Sequence, residues 1–105
     1  MDKASVFGTD DGGSIPLEGT VMYYTYVLLS LKDKKHYIGY TNDLKNRVKE
    51  HNNGQNESTK KRLPLKLIYY ESCLNKFDAL KREKYFKTGF GRRFLKERIK
   101  NYFAE

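Results

Sequence analysis

Arg47 and His51 are the first residues of this sequence whose types and spacing could do chemistry. Both lie in the segment 43–52, where Leu44 and Val48 recur at the four-residue spacing of a helix that packs one face against a core. At about 100° per residue, His51 falls on the same side as these two aliphatic residues, and Arg47 lies close beside it. The pattern therefore predicts a helix with an arginine and a histidine on its core-facing side.

Two interpretations are open for each of these residues. Arginine is always charged, and its planar fork suits phosphate oxygens, so an inward Arg47 indicates an anionic partner such as a bound phosphate. Alternatively, Arg47 lies at the rim of the core, with its stem packed and its guanidinium in water. A lone histidine on an apolar face is more often a buried structural residue with satisfied hydrogen bonds. His51 and Arg47 are four residues apart and point the same way, however, which favours a joint functional site.

Glu83 is a third charged or polar residue on a core-facing side, here that of a second predicted helix, Lys76–Lys87. It falls on the apolar stripe that Ala79, Leu80 and Phe86 form. Burying an ionised carboxylate is costly unless it is paired or binds a metal. One explanation is an ion pair with a residue such as Arg47, and the other is a divalent-cation site. Mg²⁺ often takes only one or two protein carboxylates and keeps several waters, so a single glutamate suffices for the second explanation.

Two of the nine tyrosines, Tyr26 and Tyr37, are candidates for proton chemistry. They lie on two predicted neighbouring strands, next to the helix that carries Arg47. A phenol there could orient or deprotonate a water if nearby cations or a metal lower its pKa. The other tyrosines are expected to be amphipathic residues of the core or the sheet faces.

The elements that must position these residues follow from local patterns. Aromatic and β-branched residues predict a hairpin of two strands, and alternation predicts a third strand later in the chain. Asn53-Gly54 ends the first helix, and Gly89 and Gly91 are predicted to end the second. The predicted elements are strands 23–30 and 36–40, a helix from about 43 to 52, strand 65–71, and helices 76–87 and 92–102. The order β-β-α-β-α-α predicts a small α/β (α+β) domain, a three-stranded, largely antiparallel sheet flanked by helices.

Residues 1–21 are rich in Gly, Asp, Ser and Thr without periodicity, which predicts a flexible leader, and residues 22–105 form the predicted domain. The single cysteine excludes an intramolecular disulfide and a cysteine zinc cluster. Because no apolar run could span a membrane and no signal-peptide pattern is present, the expected location is the cytoplasm, away from membranes.

Charge is concentrated outside the leader. The whole chain carries +8, and the leader holds one lysine against four acidic residues, so residues 22–105 carry +11. Residues 81–100 alone hold nine basic residues against two glutamates. This concentration favours a surface that binds a polyanion such as nucleic acid over an ordinary solvated helix face. The candidate nucleic-acid-binding residues are Lys60, Lys61, Arg62, Lys84, Lys87, Arg92 and Arg93.

The order Tyr24-Thr25-Tyr26, Tyr37-Ile38-Gly39, Arg47 with His51, and Glu83 resembles the GIY-YIG nuclease superfamily. The second signature is intact, and the first keeps only its final tyrosine. The resemblance covers residues 22 to about 100. The short chain and the run 82–93 are most similar to the small stand-alone bacterial members, which are related to the N-terminal nuclease domain of the excision-repair endonuclease C subunit.

The resemblance implies a metal-dependent endonuclease that hydrolyses DNA phosphodiester bonds, in DNA repair or processing. Glu83 would be the sole protein ligand of Mg²⁺ or Mn²⁺, and Arg47 would bind the scissile phosphate. Tyr37 or Tyr26 would act as general base, assisted by His51. The expected partner is DNA, with RNA left open, and a further protein could supply specificity. The alternative is a basic nucleic-acid-binding module that keeps the fold without catalysis.

Overall fold

The tyrosine-rich stretch after Met22 forms a central strand and its hairpin partner in the computed structural model, which describes residues 21–104. Three strands and four helices follow one another in the chain. They are β1 (Tyr23–Ser30), β2 (His36–Thr41), α1 (Leu44–Asn52), β3 (Leu65–Cys73), α2 (Lys76–Phe86), α3 (Gly89–Arg98) and α4 (Lys100–Ala104).

The sheet has the order β2-β1-β3, and both pairings are antiparallel. The predicted three-stranded antiparallel sheet is confirmed. β1 is the central strand because it is the most apolar of the three, with six consecutive buried residues from Thr25 to Ser30. A register shift on β3 opposite Val27 and Leu28 interrupts the ladder once.

Alternation along β1 divides the core between the two faces of the sheet. Tyr26 and Leu28 point to one face, where α1 covers them with Leu44 and Val48. Val27 points to the other face, where it packs in one cluster with Ile38 of β2, Phe86 of α2 and Leu95 of α3. Helices α1 and α2 therefore pack against opposite faces of the sheet.

Each of the first three helices begins at a side-chain cap, which satisfies amide groups that lack partners within the helix. Asp43 accepts a hydrogen bond from the Asn46 amide at the start of α1, and Asn75 accepts from the amides of Phe77 and Asp78 at the start of α2. Thr88 accepts from the Gly91 amide and so begins α3.

The helical part of the prediction needs two corrections. Gly89 and Gly91 lie beyond the end of α2 as predicted, but they belong to the first turn of α3, which begins three residues before the predicted start because Thr88 caps it. A side chain at Gly91 would collide with the Tyr85 carbonyl, so this glycine lets α2 and α3 approach closely. The last predicted helix is two helices, divided at Ile99.

Other boundaries differ less. β2 extends one residue further than predicted, β3 two residues further, and α2 ends one residue earlier. The predicted leader, apart from Val21, lies outside the described residues. Within residues 21–104, no helix has the length and apolar character needed to cross a membrane.

Candidate active site

A hydrogen bond between Tyr26 and His51 lies at the centre of the site. Tyr26 is 1% exposed on β1, and its hydroxyl lies 2.9 Å from Nε2 of His51, the penultimate residue of α1. The two strands pair Tyr26 directly opposite Gly39 of β2. Because cross-strand partners share a face, the tyrosine ring runs over the glycine on its way to the imidazole.

Gly39 is needed for this path. A Cβ atom placed on it would stand 2.9 Å from Cε1 of Tyr26, and closer still to Cζ and the hydroxyl oxygen. Gly39 lies within β2, as the predicted strand 36–40 placed it. Its role is to leave room for the Tyr26 ring.

His51 is completely buried, and both of its ring nitrogens have partners. Nδ1 lies 2.8 Å from the hydroxyl of Thr59, which is itself completely buried. Burial lowers the pKa of His51 below its ordinary value, the Arg47 charge lowers it further, and Glu50 opposes the shift. Sequence analysis missed Thr59, because a threonine in a polar loop without periodicity carries no signal.

Tyr37 is the outer member of the aromatic group. Its ring centroid lies 5.1 Å from that of His51 and 6.4 Å from that of Tyr26. It is half-buried, and its hydroxyl forms no hydrogen bond to any residue between 21 and 104. Of the two candidate phenols, Tyr37 is therefore the one that a water or a substrate can reach first.

The surroundings of the Tyr26 hydroxyl show which groups converge on it. Burial raises the pKa of Tyr26 to about 12, the Arg47 guanidinium beside the hydroxyl opposes this rise, and Tyr37 and the Glu83 carboxylate add to it. Arg47 comes from α1 and Glu83 from α2, on opposite faces of the sheet. The five predicted catalytic residues thus gather around one buried phenol, although their catalytic roles stay predictions.

Arg47 lies at the rim of the core. Its side chain is 38% exposed, and its Nε lies 3.2 Å from Oε1 of Glu50, one turn further along α1. This is the position that the rim interpretation described. Partly exposed ion pairs within a helix are weak, so a phosphate that accepts two hydrogen bonds can replace Glu50.

Glu83 also has a partner within its own helix. Its side chain is 22% exposed, and Oε2 lies 3.1 Å from Nζ of Lys87. Arg47 pairs with Glu50, and Glu83 pairs with Lys87. Arg47 and Glu83 therefore do not form the ion pair that was one explanation for a core-facing Glu83. No group of three or more metal-ligating side chains occurs in the described part of the chain. A partly open single carboxylate still fits a cation that keeps most of its waters.

The candidate nucleic-acid-binding residues form two groups, and in residues 21–104 no hydrogen bond, ion pair or ring contact joins them. Lys60, Lys61 and Arg62 lie in the loop before β3, where Arg62 is held by Asp33 at 2.7 Å. The second group lies where α2 meets α3 and is exposed, with Arg93 stacked on the Phe90 ring at 4.7 Å. Its members are Lys84, Lys87, Arg92 and Arg93.

Arg82 belongs to the basic run but serves the fold. Its guanidinium donates two hydrogen bonds of 2.8 Å to Glu71 of β3. It also stacks against three aromatic rings, those of Tyr85, Phe86 and Phe94. Part of the charge in residues 81–100 is therefore neutralised within the domain.

The fold and the polar cluster together define a small α+β domain in which a phenol, an imidazole, a guanidinium and a carboxylate meet at a β-hairpin. A family model of the GIY-YIG catalytic domain matches residues 22–97, which include the whole cluster. The chain belongs to the GIY-YIG family, a nuclease family, and the predicted family resemblance is confirmed. Membership implies DNA as the class of substrate.

Proteins similar to this chain include two bacterial relatives and a protein with a solved structure. UPF0213 protein CPE1444 of Clostridium perfringens is 46% identical over 67 residues, 63% of this chain and 71% of that protein. UPF0213 protein YazA of Bacillus subtilis is 46% identical over 63 residues, 59% of this chain and 64% of that protein. The solution NMR structure of UPF0213 protein BH0048 from Bacillus halodurans is 30% identical, with a TM-score of 0.45, over 70% of this chain and 81% of that one. None of these names states an activity.

Proposed function

We propose that this chain is a metal-dependent endonuclease that hydrolyses phosphodiester bonds of DNA, in DNA repair or processing. The observation that supports the proposal is that Arg47 and Glu83, from opposite faces of the sheet, both act electrostatically on Tyr26, which is hydrogen-bonded to His51. A cation suited to phosphate and a carboxylate suited to a metal then flank groups that hold and move protons.

In this mechanism the two tyrosines have different roles. Tyr37 is accessible and unbonded, so it orients the attacking water, and it accepts the proton of that water as a phenolate, after its own proton has passed to solvent. Tyr26 is buried, with its pKa raised to about 12, so it stays neutral and positions the phosphate as a hydrogen-bond donor. Arg47 leaves Glu50 and binds the scissile phosphate, where its charge stabilises the charge that develops during hydrolysis.

Glu83 would hold the cation, Mg²⁺ or Mn²⁺, after releasing Lys87. When bound there, such an ion supplies Lewis-acid stabilisation of a phosphate oxygen. The released Lys87, which is 54% exposed, is then free to contact the DNA backbone. A rim ion pair of this kind costs little to break, since exposed pairs contribute about 0–1 kcal/mol.

The test is nicking of supercoiled plasmid with Mg²⁺, Mn²⁺ or chelator, comparing wild type with Glu83→Gln. Glu97→Gln is the matched control, because Glu97 also pairs with a lysine of its own helical region but is 74% exposed on α3. We expect Glu83→Gln to reduce nicking at least about 100-fold and Glu97→Gln to leave it unchanged. Nicking that survives chelator, or the double change Glu83→Gln with Arg47→Ala, would contradict the proposal.

A second candidate function is a basic nucleic-acid-binding module without turnover. The observation that favours it is that Arg47 and Glu83 already have ion-pair partners, Glu50 and Lys87. Under this alternative, the protein binds duplex and branched DNA with a strong salt dependence, and neither is cut with any divalent cation. Cytoplasmic location, and a further protein that supplies specificity, are part of the proposal in both cases.

A further inference from the structure

Three completely or almost completely buried polar side chains form a row behind the proposed phosphate site. Thr59 is 0% exposed, His51 is 0% exposed and Tyr26 is 1% exposed. The hydroxyl of Thr59 lies 2.8 Å from Nδ1 of His51, and Nε2 lies 2.9 Å from the hydroxyl of Tyr26. A neutral imidazole has one N–H and one bare nitrogen, so the row has two arrangements of protons.

In the first arrangement, the Thr59 hydroxyl donates to a bare Nδ1, and the Nε2–H donates to the oxygen of Tyr26. The tyrosine proton then has no acceptor in the row, and Arg47 beside it can only donate. That proton therefore points out of the row, where a phosphate bound by Arg47 would be its acceptor. A phosphate oxygen is a strong acceptor for it.

In the second arrangement, Nδ1–H donates to Thr59, and Tyr26 donates to Nε2. The Thr59 proton is now the one without an acceptor, because within residues 21–104 the hydroxyl of Thr59 contacts no polar atom except Nδ1. This proton is enclosed in a completely buried position that no substrate reaches. In the free protein each arrangement leaves one buried donor unpaired, because Tyr26 is almost as deeply buried as Thr59. Once a phosphate accepts the Tyr26 proton, only the second arrangement does so, at a cost of about 1–3 kcal/mol, and the first arrangement is then favoured.

Backbone hydrogen bonds hold Thr59 in a fixed position, so its hydroxyl can determine which proton arrangement the row adopts. Its amide donates to the Asn56 carbonyl at 3.1 Å, and its own carbonyl accepts from the Arg62 amide at 2.8 Å. The end of the loop is anchored as well, because the Asn52 side chain bonds both the amide and the carbonyl of Leu65, at 2.9 and 3.0 Å. The loop thus presents one hydroxyl to Nδ1 from a fixed position.

We propose that Thr59 is a positioning residue that fixes His51 in the Nε2–H tautomer, so that Tyr26 directs its hydroxyl proton at the bound phosphate. The inference rests on the proposed function for its catalytic consequence, although the tautomer itself does not depend on activity. It assigns His51 the task of holding the tyrosine proton outward. Thr59 acts on the reaction only through this histidine.

The tautomer is measured directly by long-range ¹H–¹⁵N correlation of the histidine rings at about pH 8, where neutral imidazole dominates, with a short DNA duplex bound and chelator present to prevent cutting. The chain has only two histidines, so His36→Gln identifies the His51 signals. We expect His51 in the Nε2–H form in wild type and in Thr59→Ser, which keeps the hydroxyl. A wild-type His51 in the Nδ1–H form overturns the proposal, whether or not the protein cuts DNA.

Activity supplies the second measurement. Thr59→Val removes the hydroxyl at nearly constant shape, and we expect it to lower kcat for nicking about tenfold with KM unchanged, the rate equivalent of one hydrogen bond. Thr59→Ser should restore the rate, and Ser58→Ala, at the exposed neighbouring position, should not change it. In a Tyr26→Phe background, Thr59→Val should have no further effect.

The outcomes separate the two proposals. An equal loss from Thr59→Val in both backgrounds means that Thr59 acts on the fold alone, which overturns its role through Tyr26. A wild-type protein that cuts no DNA overturns the proposed function, while the tautomer measurement still decides the role of Thr59. If Thr59→Val does not fold, wild type and Thr59→Ser decide it in the same way.

Discussion

Gly39→Ala tests whether the Tyr26 ring needs the space above β2. The added methyl group would stand 2.9 Å from Cε1 of Tyr26 and closer still to Cζ and the hydroxyl oxygen. The ring cannot move aside freely, since it is 1% exposed and its hydroxyl is bonded to His51. Either the strands separate locally, or the ring swings and the Tyr26–His51 hydrogen bond breaks.

The expected cost follows from these two contributions. Overpacking a well-packed core costs about 1–3 kcal/mol. A swung ring also leaves two buried polar groups without partners, at about 1–3 kcal/mol. The free energy of unfolding should therefore fall by about 2–6 kcal/mol, and Tm by roughly 4–8 °C for each kcal/mol in a domain of this size. DNA nicking should be lost even at temperatures where the variant stays folded.

Urea unfolding and thermal unfolding measure the change, with Gly89→Ala as the matched control. An added Cβ at Gly89 meets no atom within 4 Å, and the residue begins α3. Alanine there should leave stability unchanged or raise it by about 0.4–1 kcal/mol, because it restricts the unfolded chain. If Gly39→Ala unfolds within about 0.5 kcal/mol of wild type, the argument that this glycine makes room for Tyr26 is refuted.

Two further predictions concern stability and DNA binding. Because the pKa of His51 lies below its ordinary value of 6.5 in the folded state, the unfolded chain binds more protons below pH 6.5, and the free energy of unfolding should fall as pH falls. Burial also lowers the pKa of His36, so urea titrations from pH 7 to 5 should show the full slope in wild type and a smaller slope in both His36→Gln and His51→Gln; an unchanged slope in His51→Gln would exclude His51 as one of its sources. Arg82→Lys should lower stability by about 1–2 kcal/mol, because lysine has neither the fork that binds Glu71 nor the stacking plane, and should leave the salt dependence of DNA binding unchanged. Arg93→Ala should do the reverse, reducing the salt slope by about one with stability within about 0.5 kcal/mol, and a loss of salt slope in Arg82→Lys alone would contradict this division.

Local physical chemistry explains how much of the fold was predictable. Strand alternation and the capping residues Asp43 and Asn75 act over a few residues, so the sheet and the starts of α1 and α2 could be read directly. The prediction failed at the start of α3, where the helix-breaking composition of Gly89 and Gly91 concealed the Thr88 cap. The need for Gly91 comes from a distant carbonyl, that of Tyr85, and local propensity does not describe such a contact.

The candidate site, like the fold, was predictable from the sequence only in part. The sequence by itself determined the set of chemical groups and their family, because Tyr26, Tyr37, Arg47, His51 and Glu83 stand in the matched order. Tertiary structure decided how deep each group lies: His51 is completely buried, whereas Arg47 reaches the rim and pairs with Glu50. Helical periodicity gives a direction around the axis, but depth depends on side-chain length and on partners from other elements.

Only the tertiary structure decided how the protons of the site are held. Thr59 reaches Nδ1 of His51 because the loop before β3 closes over the end of α1, and Gly39 lies under Tyr26 because of strand register. Neither position has a periodic pattern. A buried hydroxyl must find its hydrogen-bond partner in three dimensions, so its role follows from the packed structure and not from its neighbours in the chain.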